Sequence, residues 1–232
     1  MFINPTNYNL YSMLITNKLN TPGEHQLLFP GAQGLLEVMI NVPLNVDKRY
    51  IALIGHPHPL HGGTMNNKVV TTLVRVFKEL NIASIRFNFR GVGKSEGTYD
   101  EGMGESEDLL ILARACLNEI AGVKLLFAGF SFGSYVAYRA ASLCESSLLI
   151  SVAPPVHHYD FQEFKKIPTP WIVAQGDEDE LVSLQLVLDF IEKIAPSITL
   201  IRFQETDHFF HGKLIELKTE LIMKIREAVA DI

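Results

Sequence analysis

The chain is short of cysteine, of long apolar runs and of positive charge, and each shortage removes a class of function. Two cysteines in 232 residues cannot staple a disulfide scaffold, and neither Cys116 nor Cys144 stands at metal-ligand spacing. Both fall in segments that read as helical, where a free thiol behaves as a small apolar side chain. The longest apolar runs, such as residues 125–130 and 147–156, are too short to cross a bilayer. Residues 1–20 lack a basic start followed by a continuous apolar stretch, so they do not read as a secretory signal. Lys and Arg number 20 against 26 Asp and Glu, a net charge of −6, which leaves no basic face to neutralise the phosphates of a nucleic acid. The expectation is a cytoplasmic monomer or homodimer with neither membrane nor nucleic acid as a partner. Repeats and low-complexity linkers are also missing, so a single domain is expected.

What is present is core-forming material: 47% apolar residues and 20% charged, enough for one large α/β core. Residues 1–24, rich in Asn and polar groups, read as a poorly ordered or loosely packed extension, and 25–232 as the domain. Two apolar runs between His25 and Val42 flank Pro30-Gly31-Ala32-Gln33-Gly34 and read as a hairpin. Six short, mostly apolar runs follow, at 50–54, 82–87, 123–128, 147–152, 171–175 and 198–202. Strands covered on both faces have this character. Helical stripes alternate with them, including Val69, Val70, Leu73, Val74, Phe77 and Leu80, and later Leu214, Leu217, Leu221, Ile225 and Val229. Ser183 reads as the N-cap of a helix over 184–194. This alternation predicts a mostly parallel central sheet with helices on both faces and right-handed crossovers. In such sheets the chemistry lies beyond the carboxyl ends of the strands.

One of those ends carries Gly129-Phe130-Ser131-Phe132-Gly133, set between a strand and a helix over 134–143. A serine there occupies a strained turn, and the flanking glycines let strand and helix approach without Cβ clashes. The following helix aims its N–H groups and positive dipole end at a reacting carbonyl. A serine nucleophile needs a base. Of the eight histidines, His208 lies just after the last strand and before the last helix, with His211 as the alternative. The carboxylate that orients the base should follow the strand at 171–175, where the chain reads Gly176-Asp177-Glu178-Asp179-Glu180. The spacing Gly-x-x-Asp-x-x-Val favours Asp179, and Asp177 stays open. The order Ser…Asp…His is that of the α/β-hydrolase fold.

A second loop, Gly55-His56-Pro57-His58-Pro59-Leu60-His61-Gly62-Gly63, follows the first parallel strand. It should supply one oxyanion-hole N–H, with Phe132 supplying the other. Proline cannot donate, so His58 is the candidate and Leu60 the alternative. His56, His58 and His61 also form H-x-H-x-x-H, but Leu60 stands where a metallo-β-lactamase pattern has aspartate, and no downstream ligand set completes a metal site. These histidines are expected to line the cleft and hold the loop, without metal. Arg90-Gly91-Val92-Gly93-Lys94-Ser95-Glu96-Gly97 has Gly-x-Gly-x-x-x-Gly spacing, which is not a dinucleotide loop, and reads as one wall of the site. The stretch between Val152 and Pro170 is too short for a large helical lid. Val156, His157, His158, Tyr159 and Phe161 should form a partial rim. His56, His61, His157 and Tyr159 are the substrate-contact candidates.

Taken together, His-Pro-His-Pro-Leu-x-Gly-Gly-Thr-Met-x-Asn-Lys (56–68), Phe-Arg-Gly-Val-Gly-x-Ser-x-Gly (89–97), Gly-Phe-Ser-Phe-Gly (129–133) and Asp-His-Phe-Phe-His-Gly (207–212) resemble a bacterial group of small, lid-poor α/β-hydrolases related to dienelactone hydrolases. The resemblance runs from about Leu35 to the C-terminus. It implies a cofactor-free serine hydrolase with Ser131, Asp179 and His208 as its triad. The serine departs from true dienelactone hydrolases, which use cysteine, so their substrate is not carried over. The expected activity is hydrolysis of a small ester or other acyl substrate. A peptidase or amidase on the same fold, or a non-catalytic binding protein, are the other classes.

Overall fold

Residues 124–130 show how the sheet is built. Leu125 and Phe127 point into one apolar cluster while Leu126, Ala128 and Phe130 point into another. A strand buried on both faces must be apolar at every position, not at alternate ones. In the computed structural model, which describes residues 13, 15–194 and 198–232, eight strands form one sheet. They are β1 (Gly23–Pro30), β2 (Leu35–Val42), β3 (Tyr50–Gly55), β4 (Ala83–Phe87), β5 (Lys124–Phe130), β6 (Leu148–Val152), β7 (Trp171–Gly176) and β8 (Ile198–Phe203). Their spatial order is β1-β2-β4-β3-β5-β6-β7-β8. β1 and β2 are antiparallel, as are β2 and β4, and the remaining pairs are parallel.

The helices that cover the sheet include α1 (Lys68–Glu79), α2 (Met103–Glu119), α3 (Phe132–Leu143), α4 (Leu184–Ile194) and α5 (Leu214–Ala228). Apolar residues of α1 and α5 bury against one face, and those of α2, α3 and α4 against the other. All six residues of the α1 stripe are buried. Among the described residues, no helix is long and apolar enough to cross a membrane.

The sheet, its helices and the hairpin follow the expectation, with differences at the ends. The parallel strands nearest the site run one or two residues further, because the turn residues Gly55, Phe130 and Gly176 still pair with neighbouring strands. The hairpin begins at Gly23, and residues 15–19 are helical, with Ile15 and Leu19 buried in the core. That part of the expected loose extension is therefore packed, since its two apolar side chains reach the sheet. The expectation for residues 1–12 and 14 lies outside the described residues. Cys116 is buried within α2, whereas Cys144 stands just past the end of α3 and is half-buried. Between β6 and β7 the chain makes turns without helix or strand. Buried Phe161 anchors that segment against Tyr138 and Trp171. This leaves the carboxyl ends of β5, β7 and β8 open on one side.

Candidate active site

Ser131 occupies the turn between β5 and α3 with φ 52° and ψ −123°, a conformation that side-chain-bearing residues rarely adopt. The turn is held by its surroundings: the Ser131 N–H donates to the Val152 carbonyl at 2.8 Å, and the Ser134 hydroxyl donates to the Ser131 carbonyl at 2.6 Å. Glycine is required nearby for a steric reason. A Cβ on Gly129 would fall 2.0 Å from the Gly133 carbonyl oxygen, and one on Gly133 would fall 2.4 Å from the Gly55 backbone. The close approach of α3 to β3 and β5 thus presents the serine at the sheet edge.

His208 comes from the loop after β8 and is buried against Phe130, with ring centroids 5.1 Å apart. Its Nε2 lies 3.1 Å from Ser131 Oγ, and its Nδ1 lies 2.8 Å from Asp179 Oδ2. The Asp179 carboxylate is buried in the loop after β7, and every lone-pair direction has a donor. Oδ1 accepts from the N–H groups of Leu181 at 2.9 Å and Val182 at 2.7 Å, while Oδ2 accepts from Gln175 Nε2 at 3.0 Å. An ionised carboxylate only accepts, so His208 Nδ1 carries the proton. Nε2 is then left with a lone pair facing the serine hydroxyl. This arrangement can take a proton from Ser131 and stabilise the imidazolium that results.

The two alternatives are placed elsewhere. Asp177 makes a bidentate pair with Arg202 on the surface, at 3.1 and 2.9 Å. His211 is 71% exposed and pairs with Asp207. Sequence reading missed Gln175, a buried side chain at the end of β7 whose amide ties Asp179 to the Val182 carbonyl. Its signal was present: an uncharged polar residue closing an otherwise apolar buried strand.

In front of the serine lies a cleft of about 670 Å³. Phe132, His58, His61, His157, His158 and Tyr159 line it, and so do Tyr99, Met103 and Tyr135. His58 stacks on His61 at 4.4 Å and packs against Phe132 at 5.1 Å. His58 Nε2 lies 3.1 Å from the Tyr99 hydroxyl, which in turn lies 3.5 Å from that of Tyr159. Burial lowers the pKa of His58, and its neighbours His61 and His158 lower it further. His157 is lowered by burial and then by His158.

His56 corrects the reading that placed it against substrate: it is fully buried and does not line the cleft. Its Nε2 accepts from the Phe89 N–H at 2.9 Å, so its Nδ1 donates to the Pro57 carbonyl at 2.6 Å. With both nitrogens spent on backbone, the ring braces the loop, and burial pushes its pKa down to about 3. Among the described residues, no group of three His, Cys, Asp or Glu could hold a metal ion. Sequence reading stopped at residues 90–97 as one wall and so missed Tyr99, just beyond them, and Met103, the first residue of α2. Buried Arg90 ties that stretch to α2, donating to Asp108 Oδ2 at 2.8 Å and to the Gly104 carbonyl at 2.7 Å.

A strand–serine–helix turn with histidine and carboxylate behind it, on a sheet of this order, defines the α/β hydrolase class. The chain belongs to the alpha/beta hydrolase domain family, whose model matches residues 58–231. It is similar to a solved alpha-beta serine hydrolase homologue from Coxiella burnetii, with 44% identity, 86% of this chain and 96% of that chain covered, and a TM-score of 0.83. A Xanthomonas campestris serine hydrolase described as without a lid is 41% identical over 89% of this chain and 95% of its own, with a TM-score of 0.85. An uncharacterised Rickettsia prowazekii protein is 34% identical over 82% of this chain and 84% of its own length. The chain is thus placed among hydrolases.

Proposed function

We propose that this hydrolase cleaves ester bonds of small acyl substrates, with Ser131 as nucleophile, His208 as general base and acid, and Asp179 holding the imidazole. The observation that carries this reading is the unbroken chain of hydrogen bonds from Ser131 Oγ through both His208 nitrogens to Asp179. Ser131 Oγ attacks the carbonyl carbon as its proton passes to His208 Nε2. The tetrahedral oxyanion is met by the N–H groups of Phe132 and His58. As the intermediate collapses, the C–O bond to the alcohol breaks and His208 returns the proton to that alcohol. Water, deprotonated by the same imidazole, then attacks the acyl-serine, releases the acid and restores the hydroxyl.

The open cleft, with only turns between β6 and β7, favours short or flexible acyl chains over long lipids. His61, His157 and Tyr159 contact the substrate. The enzyme works without a cofactor as a cytoplasmic monomer or homodimer, with no nucleic acid or membrane partner.

Fluorophosphonate labelling followed by a p-nitrophenyl ester panel tests the reading. Wild-type protein should label at Ser131, and Ser131→Ala should lose labelling and at least about 10⁴-fold of turnover while keeping its fold. Full labelling of Ser131→Ala would remove it as nucleophile. Faster turnover of aminoacyl-arylamides than of esters would move the substrate to the amide class.

A further inference from the structure

Away from the cleft, the sheet holds a buried cation without a partner. Arg86 on β4 is only 7% exposed, yet its side chain makes no hydrogen bond or close ion pair among the described residues, and its Nε is buried and unsatisfied. Nearby acid is already committed. Buried Glu37 on β2 accepts from Gln26, Asn88 and the Lys94 N–H. Glu24 on β1 accepts from Asn41 Nδ2 at 2.5 Å and reaches Arg86 only through a longer-range attraction. Asn41 Oδ1 and the hydroxyl of its register partner Ser84 are also buried without partners. Burial lowers the Arg86 pKa, and Glu24 only partly offsets this. Natural proteins pair buried charges because an unpaired one is costly.

Arg86 faces a cavity of about 300 Å³ that shares no lining residue with the cleft. Arg75 and Lys78 of α1 line it too, and neither makes an ion pair among the described residues. Three cations therefore face one acid, Glu24, an excess of two positive charges in a protein of net charge −6. A guanidinium fork suits paired oxygens of a tetrahedral oxyanion. We infer that this cavity binds a phosphate group as its dianion, with Arg86 as the buried anchor and Arg75 and Lys78 closing over it. The volume exceeds a bare phosphate ion and leaves room for a small ester substituent. The inference is independent of the reaction proposed at Ser131.

Titrating the full chain with inorganic phosphate, by calorimetry and by thermal melting at constant ionic strength, tests it. Wild-type protein should show saturable 1:1 binding and a Tm that rises with phosphate. Arg86→Met should melt higher than wild type in phosphate-free buffer, because an unpaired buried charge is gone, and should bind phosphate at least tenfold more weakly. Arg75→Gln/Lys78→Gln, both on the exposed face of α1, should keep the phosphate-free Tm and also weaken binding severalfold. Glycerol phosphate as a second probe identifies the source, since tighter binding than inorganic phosphate marks a phosphomonoester. No saturable binding of either probe would overturn the inference. So would binding that survives unchanged in both variants, or an Arg86→Met variant that melts lower in phosphate-free buffer.

Discussion

His208 Nδ1 lies 2.8 Å from Asp179 Oδ2 with both side chains buried, and Asp179's other contacts are all to donors. The carboxylate has no proton to give, so it holds the imidazole in the tautomer that leaves Nε2 free for Ser131. In Asp179→Asn, the amide oxygen would stay with the Leu181 and Val182 N–H groups and the NH₂ would face the ring. Nδ1 would then have to accept, which moves the proton to Nε2. Turnover of a short p-nitrophenyl ester should fall on the order of 10⁴-fold. Asp177→Asn loses only a solvent-screened surface pair with Arg202 and touches neither His208 nor Ser131, so turnover should stay within a few fold. The reverse ranking would transfer the role to Asp177.

Gln175 acts through Asp179. Gln175→Met keeps the volume but removes the amide that joins the carboxylate to Val182. By analogy with groups that orient ligands around a reacting centre, kcat should drop about 10–100-fold. KM should hardly change, since Gln175 does not line the cleft. A Gln175→Glu variant adds a like charge beside Asp179, which favours the imidazolium and should shift the acidic limb of the kcat/KM profile upward. A rise in KM alone would show that the side chain only shapes the cleft.

Gly129→Ala tests the packing that presents the serine. Its Cβ would sit 2.0 Å from a backbone oxygen, and backbone cannot rotate away as a side chain can. Overpacking of this kind should cost at least about 2 kcal/mol, read as a lower denaturation midpoint at unchanged m-value. Gly62→Ala has open space around its Cβ, but its φ of 78° is strained for alanine, so about 1 kcal/mol is expected there. Equal costs at the two positions would show that the β5–α3 contact is looser than its geometry.

The brace histidine gives a pH signature. His56 has its folded pKa lowered to about 3 against an ordinary value of 6.5, so the unfolded chain binds the extra proton. Its contribution to stability is complete above about pH 6.5 and is lost as pH falls toward 3, at up to about 1.4 kcal/mol per pH unit. His56→Gln, starting from lower stability at pH 7, should lose stability less steeply between pH 6 and 4. Parallel curves for the two proteins, measured by urea unfolding, would mean that His56 is protonated in the folded state.

The features legible in the sequence were local. An apolar run bounded by glycine shows a buried strand, as at 125–130, and the glycines around Ser131 show a turn too tight for a Cβ. Both depend on residues adjacent in the chain. The choice between Asp179 and Asp177 was of another kind. The two stand on one short loop with the same chemistry, and their partners come from far along the chain, His208 29 positions away and Arg202 25. His56 likewise looked like its exposed neighbour His61 until the Phe89 N–H arrived from 33 residues away to hold its ring. Arg86 lay inside the mostly apolar run 82–87, and only the packing of α1 over the sheet placed it beside Arg75 and Lys78. Strands, turns and the order of the candidate residues follow from short-range sterics and periodicity. Which of two like side chains is buried against a partner depends on groups that only the tertiary fold brings within hydrogen-bonding distance.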